Sequence, residues 1–542
     1  MNISYISRRP FAWIIALVAA LGLASCTKSF EAYNTDNTTF SEDELKPDFQ
    51  YIGAYFPEIQ SSIYYNFNNT TWEYQLQQNL IADCYSGYMM SPDPFRGNIN
   101  NLNYSLVDGW NGYPFSLAYA HVMGPVAQVA RKGAREAAPD FWAIALILKV
   151  EGMHRVTDIY GPIPYTHYGE STTTAAYDDQ ATVYHKFFDE LDTAVTNLKA
   201  YMAKYPGKKP FEKFDMVFGG DYSKWLKFAN SLRLRLALRL AYVEEARGKA
   251  EAAKAVNPDN GGLLESPKEN VMVSGFGIKH PLNTITSAWT DISMNASMES
   301  FLVGYNDPRL PLFFDPTTEG GLGGKYKGIR IGSSVTAKPG YTGFSTLAYV
   351  TANTFAPDAP IQLMTSAEIW FLRAEGALRG WPNMGGTVQE LYEKGITTSF
   401  SQWEVAEKAP DYIADATSKP LAYVDPKNAE NNAPATTAIT IKWDDAATFE
   451  TKLERILTQK WIAVFPEGQE AWTEYRRTGY PKLFPVVNNL SNNTIDTRIQ
   501  IRRINFPLQE RNINAAEVAK AVTLLGGPDT GGTPLWWDKK PH

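Results

Sequence analysis

A mainly α-helical scaffold with long inserted loops and a few short strands is the fold class that the sequence predicts. Apolar residues recur at helical spacing over several long segments, those segments tend to come in pairs, and no regular alternation of strand and helix patterns runs along the chain. The helical segments, in order, are 141–157, 182–202, 222–243, 366–378 and 449–464. The fourth shows the pairing best: 366–379 is followed by 387–399 across a turn, Gly380-Trp381-Pro382-Asn383-Met384-Gly385-Gly386, whose Gly and Pro stop one helix before the next begins. Stacked pairs of this tetratricopeptide-like kind, at an irregular period, would form a superhelical scaffold. Four segments between them, 83–111, 271–306, 317–349 and 425–440, are rich in Gly, Pro, Asn and Thr and read as loops. Loops that long in a compact domain are usually functional, and short strands or hairpins are expected around 325–351.

Composition narrows the function. The 542 residues carry 51 Lys+Arg against 58 Asp+Glu, for a formal charge of -7, and 44% are hydrophobic. With no long Lys/Arg run, the electrostatic footprint that nucleic acid requires is missing, so nucleic acid is not an expected partner. The first 25 residues read as an export signal: Arg8 and Arg9 precede a short apolar run, and Leu23-Ala24-Ser25-Cys26 then matches a lipobox, in which Cys26 is acylated before cleavage. Residues 26–47, rich in Thr, Asn, Asp and Glu, read as a flexible tether, and 48–542 as a single domain. The mature chain is thus expected to be anchored by lipid without spanning the membrane. Of the two cysteines, Cys84 would have no partner and reads as a buried or semi-buried free thiol.

Reactive motifs are scarce. No two of the six histidines form an HExxH or HxH pair, no G-x-S-x-G elbow occurs, and Gly320-Gly321-Leu322-Gly323-Gly324-Lys325 is one residue short of a phosphate loop, with Tyr326 in place of its Ser/Thr. A carboxylate pair for glycoside hydrolysis is a property of the fold and not of sequence spacing, so a surface hydrolase stays open as an alternative. Carboxylates are spread too widely to place a structural calcium ion, and no cofactor is expected.

Rings on loops are more informative. The stretches 64–72 and 85–98 mix aromatic side chains with amides and a guanidinium. A flat ring covers the apolar face of a sugar, while amide and guanidinium groups bond hydroxyls at its rim. Trp72, Tyr85, Tyr88, Phe95, Arg96 and Asn98 are the candidate ligand-binding residues here, with Trp289 and Tyr305 in the second long loop.

Eight segments in fixed order, 158–165 (DIYGPIPY), 224–235 (KWLKFANSLRLR), 306–310 (NDPRL), 365–375 (TSAEIWFLRAE), 459–463 (QKWIA), 470–481 (EAWTEYRRTGYP), 502–507 (RRINFP) with Glu510, and 533–538 (TPLWWD), resemble the SusD/RagB family of outer-membrane nutrient-binding lipoproteins, in particular its SusD-like branch. The resemblance runs through nearly the whole mature chain. It implies a helical fold of tetratricopeptide-like pairs, no catalysis, and a SusC-like TonB-dependent barrel as partner. Over that barrel the lipoprotein would sit as a hinged lid, delivering an oligosaccharide, a peptide or another nutrient. It further implies ligand contacts within 66–111 and 287–305, and ion pairs around Arg373, Glu375, Arg476 and Arg477 that hold helix hairpins together.

Overall fold

The computed structural model describes residues 46–66, 68–170 and 174–541; the export segment, Cys26 and tether residues up to 45 lie outside them. Ile52–His542 forms one compact unit. Among the described residues no helix is long and apolar enough to cross a membrane.

Eight helices build the scaffold: α1 (Pro139–Tyr160), α2 (Gln180–Lys204), α3 (Tyr222–Arg239), α4 (Glu245–Ala255), α5 (Ser366–Leu378), α6 (Val388–Gln402), α7 (Phe449–Ala463) and α8 (Gly468–Thr478). Local chemistry sets their ends. Asp179, Asp221, Thr365 and Thr448 each accept a bond from a backbone N–H of the first turn of α2, α3, α5 and α7, and Thr387 with Glu390 closes a reciprocal capping box on α6. Pro139 opens α1, and Gly479 (φ 74°) ends α8 in the left-handed conformation that glycine takes without strain. The helices pack as antiparallel-type neighbours α1/α2, α3/α4 and α5/α6, and α2 on α3, α3 on α5 and α5 on α7 chain the pairs together.

The pairing and the five long helices follow the sequence pattern; other elements do not. Segment 271–306 holds two helices, Pro281–Ser287 and Ala296–Gly304, because Pro281 opens the first and the Asn295 side chain caps the second at Ser297 N, 2.8 Å away. Of the strands, only β5 (Thr346–Leu347) falls within 325–351. The others are β1 (Met89–Met90), β2 (Val271–Val273), β3 (Ser293–Met294), β4 (Phe314–Asp315) and β6 (Ile361–Met364), joined antiparallel as β1–β3, β2–β6 and β4–β5. β1–β3 staples one long loop to another, and β2 and β5 each tie a long loop to a segment outside it, so strand partners do not come from a tight hairpin.

The centre of the molecule is ionic. Arg235 of α3 holds Glu368 of α5 in a fork (2.7 and 2.8 Å), and Arg239, one turn on, bonds Glu470 and Glu474 of α8. Lys460 of α7 meets the same two carboxylates at 2.8 and 3.1 Å, and Arg477 of α8 forks onto Glu375 of α5 at 2.6 and 2.8 Å. All of these side chains are buried. Burial by itself would raise the Glu474 pKa, but Arg477, Lys460 and Arg239 overcome it and hold it well below the usual carboxylate range. Of the four residues expected to form ion pairs, Glu375 and Arg477 thus meet each other. Arg373 turns instead to Glu265 (3.1 Å) and Met384 O (2.6 Å), and Arg476 donates to the carbonyls of Asp158 and Arg502 between the rings of Trp472 and Trp537.

A separate buried carboxyl, Asp83, sits where the π-helix Gln75–Asp83 packs on α8. Its Oδ1 accepts from Gln78 Nε2 at 2.7 Å, and its Oδ2 makes no hydrogen bond among the described residues. Beside it, the Cys84 thiol is buried and donates to Asn79 O at 3.2 Å, as a structural thiol would.

Two predictions follow from these buried charges. Glu375→Gln leaves Arg477 short of a buried counter-charge and should cost about 3–5 kcal/mol in guanidinium chloride unfolding; a loss under about 1 kcal/mol would contradict a structural role for the pair. Burial pushes the Asp83 pKa up to about 7, so the folded chain keeps a proton that the unfolded chain releases near about pH 4. That stabilisation is complete below about pH 4 and is lost as pH rises toward the folded pKa. Asp83→Asn should therefore melt with the wild type at low pH and above it at pH ~8, by up to about 4 kcal/mol for three pKa units.

Candidate functional site

The sequence-derived candidates divide into two groups. Tyr85, Tyr88 and Tyr305 point inward. Tyr85 donates to Asn101 O (3.0 Å) and packs on Trp472 of α8; Tyr88 is fully buried, bonds Trp461 O and packs on Trp461 and Phe465; Tyr305 donates to Ile439 O (3.0 Å). The reason is geometric: the π-helix Gln75–Asp83 continues as α-helix through Cys84 and Tyr85, so the first residues of the glycine- and proline-rich stretch are carried into the groove between α7 and α8. These three tyrosines are core residues and not the ligand contacts their place in the sequence suggests.

Trp72, Phe95, Arg96, Asn98 and Trp289 reach the surface in whole or part. Trp72, 47% exposed, stands on the short helix Thr71–Tyr74 and meets the edge of Tyr113 with ring centres 5.5 Å apart. Phe95 meets Trp110 edge-on at 5.8 Å. Phe95 opens a turn in which Arg96, Gly97 and Asn98 all have positive φ (55°, 66° and 65°). For residues with a Cβ this conformation costs about 1–2 kcal/mol each, so something must hold it. Asn98 exchanges bonds with the Val335 backbone (Nδ2 to O 2.9 Å, N to Oδ1 3.3 Å), and Asn100 Nδ2 donates to Phe95 O at 2.7 Å. The turn thus presents an exposed Arg96, with no ion pair among the described residues, beside the Phe95–Trp110 pair.

One ammonium ties the two candidate loops together. Lys338 Nζ bonds the Asp291 carboxylate and Trp289 O (2.7 Å) and lies 3.3 Å from Asp93 Oδ2. Gln75 Nε2, three residues after Trp72, donates to Asp291 Oδ2 at 3.0 Å. Partial burial opposes the Lys338 charge, but Asp291 and Asp93 outweigh it and keep its pKa above that of a free lysine. Trp72, Trp289 and the Phe95 turn are therefore linked through a single polar knot. Sequence reasoning did not select Phe276, 61% exposed at the tip of a Gly275-Phe276-Gly277 turn with positive φ throughout, although the flanking glycines were a readable sign of a ring held outward. That turn is tied to the Trp72 loop by Asn69, whose Nδ2 donates to Gly277 O at 3.3 Å and whose Oδ1 accepts from Lys279 N at 2.7 Å. Tyr113 also lines a neighbouring cavity of about 580 Å³, whose apolar wall is Leu508 and Ile513 and whose polar groups include Asp108, Gln509 and Asn512. Among the described residues no cluster of His, Cys, Asp and Glu is placed to hold a metal ion.

A face of half-exposed rings, fringed by amides, one free guanidinium and a knot of charges, can bind flat ligands with an apolar face and a hydroxylated rim. Comparison with known proteins decides which kind of protein carries it. Residues 32–538 match the family described as SusD-like, the SusD and RagB outer-membrane lipoproteins. The chain belongs to the SusD/RagB family. A chitin-binding SusD homolog from Flavobacterium johnsoniae is 46% identical, with 90% of this chain and 99% of that one covered and a TM-score of 0.86. SusD homologs from Bacteroides vulgatus (38% identity, 91% and 98% covered, TM-score 0.85) and Bacteroides thetaiotaomicron (36% identity, 90% and 99% covered, TM-score 0.83) share the same helical fold. No curated protein matches. As a SusD/RagB protein the chain is of a lipoprotein family of the outer membrane.

Exposure separates the two groups of rings experimentally. Trp72→Ala should change unfolding free energy by no more than about 0.5–1 kcal/mol, while Tyr88→Ala, which empties a core position, should cost about 3–5 kcal/mol. Equal effects in denaturant titrations would contradict the placement of Trp72 outside and Tyr88 inside.

Proposed function

We propose that this chain is a surface-exposed lipoprotein, with signal peptide 1–25, acylated Cys26 and a tether to residue 47, that captures chitin-derived oligosaccharides and passes them to a SusC-like TonB-dependent transporter without itself catalysing a reaction. The observation that carries the ligand class is the ring face together with the 46% identity to a chitin-binding homolog. In a β-linked N-acetylglucosamine chain each pyranose offers a C–H face to a ring, and each acetamido group offers a methyl, a donor and an acceptor. Trp72, Phe95, Trp110 and Trp289 supply faces and edges; Arg96 and the rim amides supply donors. Asp93 and Asp291 are both engaged by Lys338, which suits a positioning role for that knot and not a hydrolytic pair. Modest affinity is sufficient, because a lid closing on a transporter raises the local ligand concentration to the order of mM.

Calorimetry with chito-, cello- and malto-oligosaccharides of equal length tests this reading. The wild type should prefer the chito-series. If each stacked ring contributes about 0.5–1.5 kcal/mol, Trp72→Ala/Trp289→Ala should weaken binding by roughly 5- to 150-fold. Undiminished binding in the double variant would remove the ring face as the site.

A further inference from the structure

The scaffold holds a second concave site that shares no residue with the ring face. It is a cavity of about 430 Å³ between α1, α2 and the loop after α1, with Trp142 and Leu146 on one side, Tyr165 and Tyr168 on another, and Lys186 and Glu190 from α2. That volume falls within the about 300–1,000 Å³ range of small-ligand sites. Unlike the cavity beside Tyr113, its surface is mostly polar, and its charged groups are three cations, Arg135, Lys149 and Lys186, against one carboxylate, Glu190.

Charge pairing inside the cavity leaves an imbalance. Lys149 Nζ bonds Glu190 Oε1 at 2.7 Å while lying 4.0 Å over the Tyr165 ring, and the Tyr165 hydroxyl donates to the other oxygen of Glu190. Both oxygens of that carboxylate are thus occupied and its charge is matched by Lys149. Arg135 and Lys186 also line the cavity, and neither has an ion pair among the described residues. The Arg135 guanidinium stacks 5.0 Å from the centre of the Trp142 ring, which leaves its N–H edge available. Arg131 adds further positive potential at Tyr168. In a chain of formal charge -7 this is a local reversal of sign. Of the other acids close by, Asp178 accepts from Thr166 (2.6 Å) and Glu170 pairs with His167 at 2.9 Å, while Glu136 and Asp189 are exposed and do not line the cavity.

We propose that this cavity binds an anionic saccharide, a sugar bearing a carboxylate or sulfate, with the acid group on Arg135 and Lys186 and the pyranose against the Trp142 and Tyr168 rings, Tyr165 being buried beneath Lys149. A guanidinium edge matches a carboxylate or sulfate in two parallel hydrogen bonds, and the ammonium adds a point charge. Aromatic walls select for a ligand with a flat apolar face, which a bare inorganic anion lacks, and the Thr166 and Thr193 hydroxyl oxygens, whose protons go to Asp178 and to Asp189 O, can accept from sugar hydroxyls. The site is independent of what the ring face binds.

Calorimetry on the full soluble domain, at low salt, would use a glucuronate–N-acetylglucosamine disaccharide, its 6-sulfated form, a neutral N-acetylglucosamine disaccharide and sodium sulfate. The acidic disaccharides are expected to bind at least tenfold more tightly than the neutral one at this site and at least tenfold more tightly than sulfate alone, and to weaken as salt screens the cations. Arg135→Gln/Lys186→Gln, both exposed and unpaired, should fold with an unchanged melting temperature, lose at least tenfold in acidic-disaccharide affinity and keep chito-oligosaccharide affinity. Trp142→Leu should lose affinity for the acidic disaccharides while leaving sulfate binding unchanged. Absence of binding by either acidic disaccharide, sulfate binding as tightly as they do, or full affinity in the Arg135→Gln/Lys186→Gln variant would overturn the proposal.

Discussion

Buried charge, and not apolar burial alone, fixes how the helices of this protein meet. Arg235, Arg239, Lys460 and Arg477 lie in one continuous core with Glu368, Glu375, Glu470 and Glu474, and the members come from α3, α5, α7 and α8. Each ion has lost its water, so each must find its partner at hydrogen-bonding distance or impose a cost of several kcal/mol. An apolar core tolerates a helix that slides by a fraction of a turn. A core of forked guanidinium–carboxylate pairs does not, because the fork fixes both distance and orientation. The relative placement of helices far apart in sequence is therefore set by chemistry that allows few alternatives.

That rigidity is what lets irregular segments carry the ligand face. The rings of Trp72, Phe95, Trp110 and Trp289 sit on short helices and turns with little regular structure of their own. They are held by point attachments: Lys338 to Asp93 and Asp291, Asn98 to Val335, Asn69 to the Phe276 turn, and Arg511 to Asp108. Such attachments act only if the elements on both sides stay fixed. The strained turn at Arg96–Asn98 is the clearest example, since its positive φ angles persist through clasps made to a segment more than two hundred residues away.

How much of this was legible in the sequence depended on what kind of burial was involved. α1, α2, α3, α5 and α7 were readable because apolar residues repeat along them at helical spacing. α8 is short and polar on average, and its apolar side is no more than Ala471, Trp472 and Tyr475. Its sequence, GQEAWTEYRRT, is polar, yet every residue in it is buried, because its partners are ions on neighbouring helices and not solvent. Hydrophobic periodicity does not register a side chain buried by pairing. The site shows the same division. Composition identified the loop with rings in it but not which rings face out: Tyr85 and Tyr88 follow the π-helix inward, whereas Phe95 and Arg96 lie beyond the β1 strand that ends that course. Trp110 and Tyr113 were hidden for the opposite reason, since a ring beside a helix is an ordinary core residue until the neighbouring elements are seen to leave it uncovered.

The most direct measurement is a crystal structure of the domain soaked with a chito-oligosaccharide. Sugar density resting on Trp72, Phe95, Trp110 and Trp289, with the Lys338 knot intact and the ionic core unmoved, is the predicted result. Density seated elsewhere on the molecule, or a bound state in which Tyr85 and Tyr88 have swung out of the core to meet the sugar, would contradict a preformed ring face held by a rigid charged interior.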